Sequence, residues 1–120
     1  MFAHGARDPR WAEPFQAVLA RLRELEPGVA AELAYLEFTP PTLAQAGQAL
    51  AALGCRCVDV VPLFLGAGGH VRRDLPRLVE QLAADHPEVR WHLQGAIGER
   101  PPVIEALARE ALNAAGERST

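Results

Sequence analysis

"CRCVDVVPLFL", Cys55 to Leu65, is the stretch on which the fold turns. From Val60 to Leu65 every residue is apolar. Such a run fits a central parallel strand covered on both faces. Pro62 cannot donate to a ladder, so a bulge or the end of regular pairing is expected near it. The run passes into "GAGGHVRRD", Gly66 to Asp74, a glycine-rich turn that delivers His70 and two arginines past the strand's end. A phosphate cradle, a catalytic base and a metal ligand are all open readings of a histidine placed there.

Working outward, Trp11, Phe15, Val18, Leu19, Leu22 and Leu25 recur at helical spacing, with Asp8-Pro9 as a start signal and Pro27-Gly28 as a stop. Val29 to Phe38 alternates in part and reads as a strand. Leu43, Ala46, Leu50 and Leu53 form a second helical stripe ending at Gly54. Leu75, Leu78, Val79 and Leu82 mark a third helix, "EVRWHL" (Glu88 to Leu93) a fourth strand, and Val103, Ile104, Leu107, Ala108 and Leu112 a last helix. Only Met1 to Ala3 precede His4, so the first strand is short, either truncated or begun upstream. Strands alternating with helices imply an α/β, three-layer domain over residues 1–120, a four-stranded parallel sheet flanked by helices, for which the order 2-1-3-4 is the expectation.

Composition narrows the chemistry. At 120 residues, 49% apolar, the chain suits one compact domain that needs no disulfides. A net charge of -3 carries no basic excess of the kind nucleic acids attract. No apolar run approaches the ~20 residues that cross a bilayer, and there is no leader pattern, so a cytoplasmic protein is expected. All 12 basic residues are arginines, which excludes a lysine-dependent phosphate loop and Schiff-base chemistry. Cys55 and Cys57, two apart on a strand, are expected as reduced, buried, small apolar residues.

Open α/β sheets bind ligands beyond the carboxyl ends of their strands. His4, Glu37 and His70 fall at three such ends, and in the order 2-1-3-4 they converge on one cleft around His4. His86 reads as a partner for a helix C-terminus, and His92 has no evident partner; both stand outside the site. "GAGGHV" has Val71 where a dinucleotide fingerprint needs glycine. Its glycines still allow a tight turn and the close approach of a flat, bulky ligand.

Three segments together carry a family resemblance: "HGARDPR" (His4 to Arg10), "YLEFTPPTL" (Tyr35 to Leu43) and "PLFLGAGGHVRRDLP" (Pro62 to Pro76). In order and spacing the chain resembles the short CbiX-type sirohydrochlorin chelatases, whose chelatase-like fold would be the one drawn above. The resemblance implies a class II chelatase that inserts cobalt(II) or iron(II) into sirohydrochlorin on the way to cobalamin or sirohaem. It implies His4 and His70 as metal-binding and catalytic residues, with Glu37 as proton acceptor, orienting group or further ligand. Arg7, Arg72 and Arg73 would pair with the carboxylates of the tetrapyrrole, and Gly68 and Gly69 would border it. No organic cofactor is implied; the divalent metal is a substrate, and the partner is a second copy of the chain in a homodimer. Ala6 departs from the family, where a serine is common. Two other readings use the same residues: a non-catalytic metal or tetrapyrrole carrier, and phosphoryl transfer through a phosphorylated His4.

Overall fold

The computed structural model describes residues 1–66 and 68–117, and of His70 the backbone alone. Among the described residues four short strands and four helices alternate: β1 (Phe2–Ala3), α1 (Glu13–Leu25), β2 (Ala34–Tyr35), α2 (Leu43–Ala52), β3 (Cys57–Val60), α3 (Gly69–Asp85), β4 (Arg90–Leu93) and α4 (Pro101–Gly116). Single 3-10 turns at Pro9–Ala12 and Ile97–Glu99 lead into α1 and α4.

The expected four-stranded sheet in the order 2-1-3-4 does not form. There are instead two parallel two-stranded sheets, β1–β2 and β3–β4. In the first, Phe2 pairs with Ala34 and Ala3 with Tyr35. In the second, Cys57 to Val60 pair in register with Arg90 to Leu93. Between the sheets runs one isolated bridge, Phe2 to Pro62. It is held by Phe2 N–H donating to the Val61 carbonyl at 2.9 Å and Leu63 N–H donating to the Phe2 carbonyl at 2.7 Å. Two causes stop it growing into a ladder. β1 is only two residues long, and Pro62, opposite it, has no N–H to give. β3 accordingly ends at Val60, before the apolar run does, and of the expected strand from Val29 to Phe38 only Ala34–Tyr35 pairs.

Successive side chains of a strand point to opposite faces, and the core divides accordingly. Phe2 and Ala34 enter the main cluster with Leu43, Ala46, Val60, Phe64, Leu75, Val79 and Leu82. Ala3 and Tyr35 face the other way, onto Ala12, Trp11, Phe15 and Leu19 beside α1. β3 itself alternates: Val58 and Val60 are buried, while Cys57 and Asp59 are exposed. Their partners Arg90 and His92 are exposed as well, so this face of β3–β4 is open. The expectation of a strand buried on both faces therefore fails, and so does that of a buried Cys57.

α4 is exposed along its length. None of its residues is buried; Ile104, Leu107 and Leu112 stand 52%, 47% and 75% exposed. With α4 projecting, the chain measures 56 × 34 × 29 Å and its radius of gyration is 15.9 Å, against about 14 Å for a compact chain of this length. α2 is better anchored. Thr42 Oγ1 accepts from Gln45 N–H at 3.1 Å while Gln45 Oε1 accepts from Thr42 N–H at 2.9 Å, a reciprocal cap that satisfies two otherwise orphaned donors. No helix among the described residues is long and apolar enough to cross a membrane.

Candidate functional site

His4 leaves the carboxyl end of β1 in a loop that is zipped to the loop after β2. The Ala3 carbonyl accepts from Leu36 N–H at 2.9 Å, and the His4 carbonyl accepts from Glu37 N–H at 3.0 Å. The Ala6 carbonyl accepts from the Thr39 hydroxyl at 3.1 Å. Gly5 makes this closeness possible. Its φ is +90°, a region that favours glycine, and a Cβ there would overlap the Glu37 carbonyl oxygen. The "HG" pair is thus a positioning device: the glycine lets the histidine's loop lie against the backbone that carries Glu37.

The His4 ring packs on Phe64, with centroids 4.5 Å apart and planes 35° apart. Phe64, itself 5% exposed, also meets the edge of Phe2, centroids 6.1 Å apart. On the other side of the loop Phe38 has a φ of +66°, uncommon for a bulky residue. Its ring is exposed, and the Arg7 guanidinium lies 4.9 Å from its centroid, within cation–π range. Asp8 closes the loop by accepting from the Arg10 backbone N–H at 2.9 Å and from its guanidinium at 3.3 Å. The Arg10 N–H, then the guanidinium, hold the Asp8 carboxyl below its ordinary range.

Phe64 also lines a cleft of about 360 Å³ at the carboxyl ends of β3 and β4. One wall is the start of α3, with Val71, Arg72 and Leu75; the other is the turn after β4, with Gln94, Ala96 and Glu99. The turn is fastened by Ile97 N–H to the Pro62 carbonyl at 2.9 Å and Gly98 N–H to the Phe64 carbonyl at 2.8 Å. Gly98 lies so close that a Cβ would strike the backbone of Leu65.

The structure therefore joins His4 and Glu37 through their backbones, sets Arg7 over Phe38 on the same loop pair, and places Arg72 in the cleft wall. Arg73 is exposed and outside the cleft lining. His70 lies in the first turn of α3, next to Val71; its side chain is outside the described residues, as is Ala67. Gly68 is the N-cap of α3 and Gly69 its first residue; a Cβ on either would meet nothing within 4 Å. Among the described residues no group of three or more His, Cys, Asp or Glu side chains is gathered to hold a metal ion, and Cys55 and Cys57 are free thiols. Sequence reasoning missed Phe64, Phe38 and the turn from Gln94 to Glu99. Only the last left a signal: two glycines, Gly95 and Gly98, directly after a strand at its carboxyl end.

An α/β chain with its histidine loop and cleft at the carboxyl ends of its strands is the class that the geometry defines. The family model CbiX matches residues 1–114, and the chain belongs to the CbiX family. It is 37% identical over 79 residues to the sirohydrochlorin cobaltochelatase of Saccharolobus islandicus, covering 63% of this chain and 58% of that protein. To the sirohydrochlorin cobaltochelatase of Saccharolobus solfataricus it is 35% identical over 95 residues, covering 77% and 68%. Among solved structures it resembles a CbiX protein from Marinobacter aquaeolei VT8, with a TM-score of 0.80 and 35% identity over 98% of this chain and 94% of that one. It also resembles SirB from Bacillus subtilis with Fe3+, with a TM-score of 0.77 and 26% identity, covering 90% of this chain and 43% of that one. The chain thus spans a little over half the length of the Saccharolobus islandicus enzyme.

Proposed function

We propose that the protein is a metal chelatase that inserts a divalent ion, cobalt or iron, into sirohydrochlorin, in cobalamin or sirohaem biosynthesis. Membership of the CbiX family and likeness to sirohydrochlorin cobaltochelatases support the reaction class. The observation that carries it is the exposed His4 imidazole, held on the Phe64 ring by a zipped loop pair at the carboxyl end of β1.

Insertion exchanges one M²⁺ for two pyrrole protons, so the site must offer the ion a transient ligand and the protons an acceptor. Imidazole is a ligand of intermediate strength for cobalt and iron, strong enough to capture the ion and weak enough to release it. His4 takes this part, with His70 as the second imidazole from the start of α3. Glu37, tied to His4 through the backbone, is the proton acceptor or the group that orients the ion. Arg7 and Arg72 pair with carboxylates on the rim of the tetrapyrrole, with Arg73 beside them.

The working unit in this reading is a homodimer. The exposed apolar stripe of α4 and the open face of β3–β4 support it, as does the match to 43% of SirB, about one half of a longer chain.

The test is optical: purified protein, sirohydrochlorin and Co²⁺ or Fe²⁺, with the tetrapyrrole spectrum followed against the uncatalysed rate. Acceleration by the wild type and its loss in His4→Ala and His70→Ala are expected. No acceleration would leave a carrier, and full activity in both variants would remove the histidines from the reaction.

A further inference from the structure

The cleft beside Phe64 is apolar along Pro62, Phe64, Leu75 and Leu93, and among its described lining residues only Arg72 and Glu99 are charged. These two face each other from opposite walls, with Arg72 Nη2 3.6 Å from Glu99 Oε1. The other oxygen, Oε2, lies 3.9 Å from where a Cβ on Gly95 would stand, so the carboxylate rests over the turn that forms the second wall. Both side chains are largely exposed, 68% and 51%.

An apolar floor with one cation at its rim suits a ring system carrying a carboxylate. Across the cleft, however, that cation is already paired with Glu99. We propose that Glu99 is a positioning residue that occupies Arg72 until a substrate carboxylate displaces it, and so sets how tightly the polycarboxylate tetrapyrrole is held. This rests on the chelatase reading above. An exposed ion pair is weak and readily exchanged. Glu99 therefore fixes the Arg72 side chain across the cleft without blocking it, and recaptures Arg72 when the metallated product leaves. It also places a negative charge beside an anionic ligand, which works in the same direction. Both effects lower affinity, and both act where Arg72 would make its contact.

The test measures binding of metal-free sirohydrochlorin, by quenching of protein fluorescence, to the wild type, Glu99→Gln, Arg72→Gln and the double variant, with melting curves for each. Glu99→Gln is expected to bind about 3- to 5-fold tighter, the range that release of an exposed ion pair allows. Arg72→Gln binds more weakly than wild type, and the double variant recovers only a small part of the Glu99→Gln gain over Arg72→Gln, because repulsion of the ligand is all that Glu99 has left to relieve. Unchanged or weaker binding by Glu99→Gln, with the melting temperature kept, overturns the inference. So does a full gain from Glu99→Gln in the Arg72→Gln background, which would reduce Glu99 to general repulsion. A wild type that binds no sirohydrochlorin overturns the chelatase reading and this inference with it. A wild type that binds without the coupling overturns the inference alone.

Discussion

Gly5 and Gly54 both sit at positive φ, +90° and +88°, yet only one has a neighbour in its way. Replacing each with alanine separates the cost of backbone conformation from the cost of collision. For Gly54, at the end of α2, a Cβ meets nothing within 4 Å. Gly54→Ala therefore carries the conformational cost of about 1–2 kcal/mol, offset in part by a stiffer unfolded chain. For Gly5 the same Cβ overlaps the Glu37 carbonyl oxygen and stands 3.0 Å from its carbon and 3.3 Å from Tyr35 Cβ. Neither neighbour yields easily, since Tyr35 is buried and the Glu37 strand end is bonded to β1 and His4. The loops must part, losing the bonds from Glu37 N–H to His4 and from Thr39 Oγ1 to Ala6, each worth about 1 kcal/mol. Gly5→Ala should thus cost about 3–4 kcal/mol and Gly54→Ala about 1. At roughly 4 °C per kcal/mol for a domain of this size, the melting temperatures fall by about 12–16 °C and 4 °C. Calorimetry gives both shifts, and the optical metallation assay should show a loss for Gly5→Ala alone. Equal shifts, or a Gly5→Ala variant melting within about 3 °C of wild type with its activity intact, would refute the account of the loop pair.

Thr42→Ala removes the reciprocal cap of α2 and should cost about 1 kcal/mol in urea unfolding, with the midpoint lowered and the slope unchanged. Leu82→Ala empties a site 3% exposed in the main cluster and should cost about 2–4 kcal/mol by the same measurement. Leu107→Glu places a charge on the exposed stripe of α4; gel filtration should show the mass of two chains for wild type and one for the variant. Asp8 should titrate below its ordinary 3.8 in NMR, because the Arg10 N–H and guanidinium favour the charged form. Its stabilising effect is thus full above that ordinary value and is lost as pH falls through the lowered one.

Helical stripes were legible because their period is local: α2 and α3 bury Leu43, Ala46, Leu50, Leu75, Val79 and Leu82 much as the spacing demands. Leu53 and Leu78, read into the same stripes, are 69% and 37% exposed. The sheet was less legible. An apolar run does not say how much of itself is paired, and Val60 to Leu65 divides between the end of β3, a lone bridge and the rim of a cleft. Pro62 marked that division in advance, by lacking an N–H where a ladder would need one. His4 and Glu37 could be brought together by strand-end reasoning, since His4 directly follows β1 and Glu37 stands two residues past the end of β2. Phe64 could not, because a residue in an apolar run gives no sign that its ring will be shared between a histidine and a cleft. The stripe on α4 was visible as well, but an amphipathic pattern is the same whether its cover comes from its own chain or another.

The glycines separate two kinds of constraint. Gly5 and Gly98 are required by the chain itself, since a Cβ on either would collide with backbone, of Glu37 in one case and of Leu65 in the other. Each of these collisions lies on a side of Phe64 that the site uses: Gly5 beside His4, Gly98 in the turn that walls the cleft. Gly66, Gly68 and Gly69 have no such cause among the described residues, where a Cβ on any of them meets nothing within 4 Å and none has a positive φ. Folding alone does not ask for glycine at those three positions, which lie directly before and at the start of α3, where Arg72 and His70 follow. Alanine there should leave stability nearly unchanged, within about 1 kcal/mol. If the turn is bare because a large flat ligand passes over it, Gly68→Ala and Gly69→Ala should weaken sirohydrochlorin binding while the melting temperature holds. Equal affinity in both variants would sever the glycine turn from the ligand, and leave His70 without the open approach that the chelatase reading gives it.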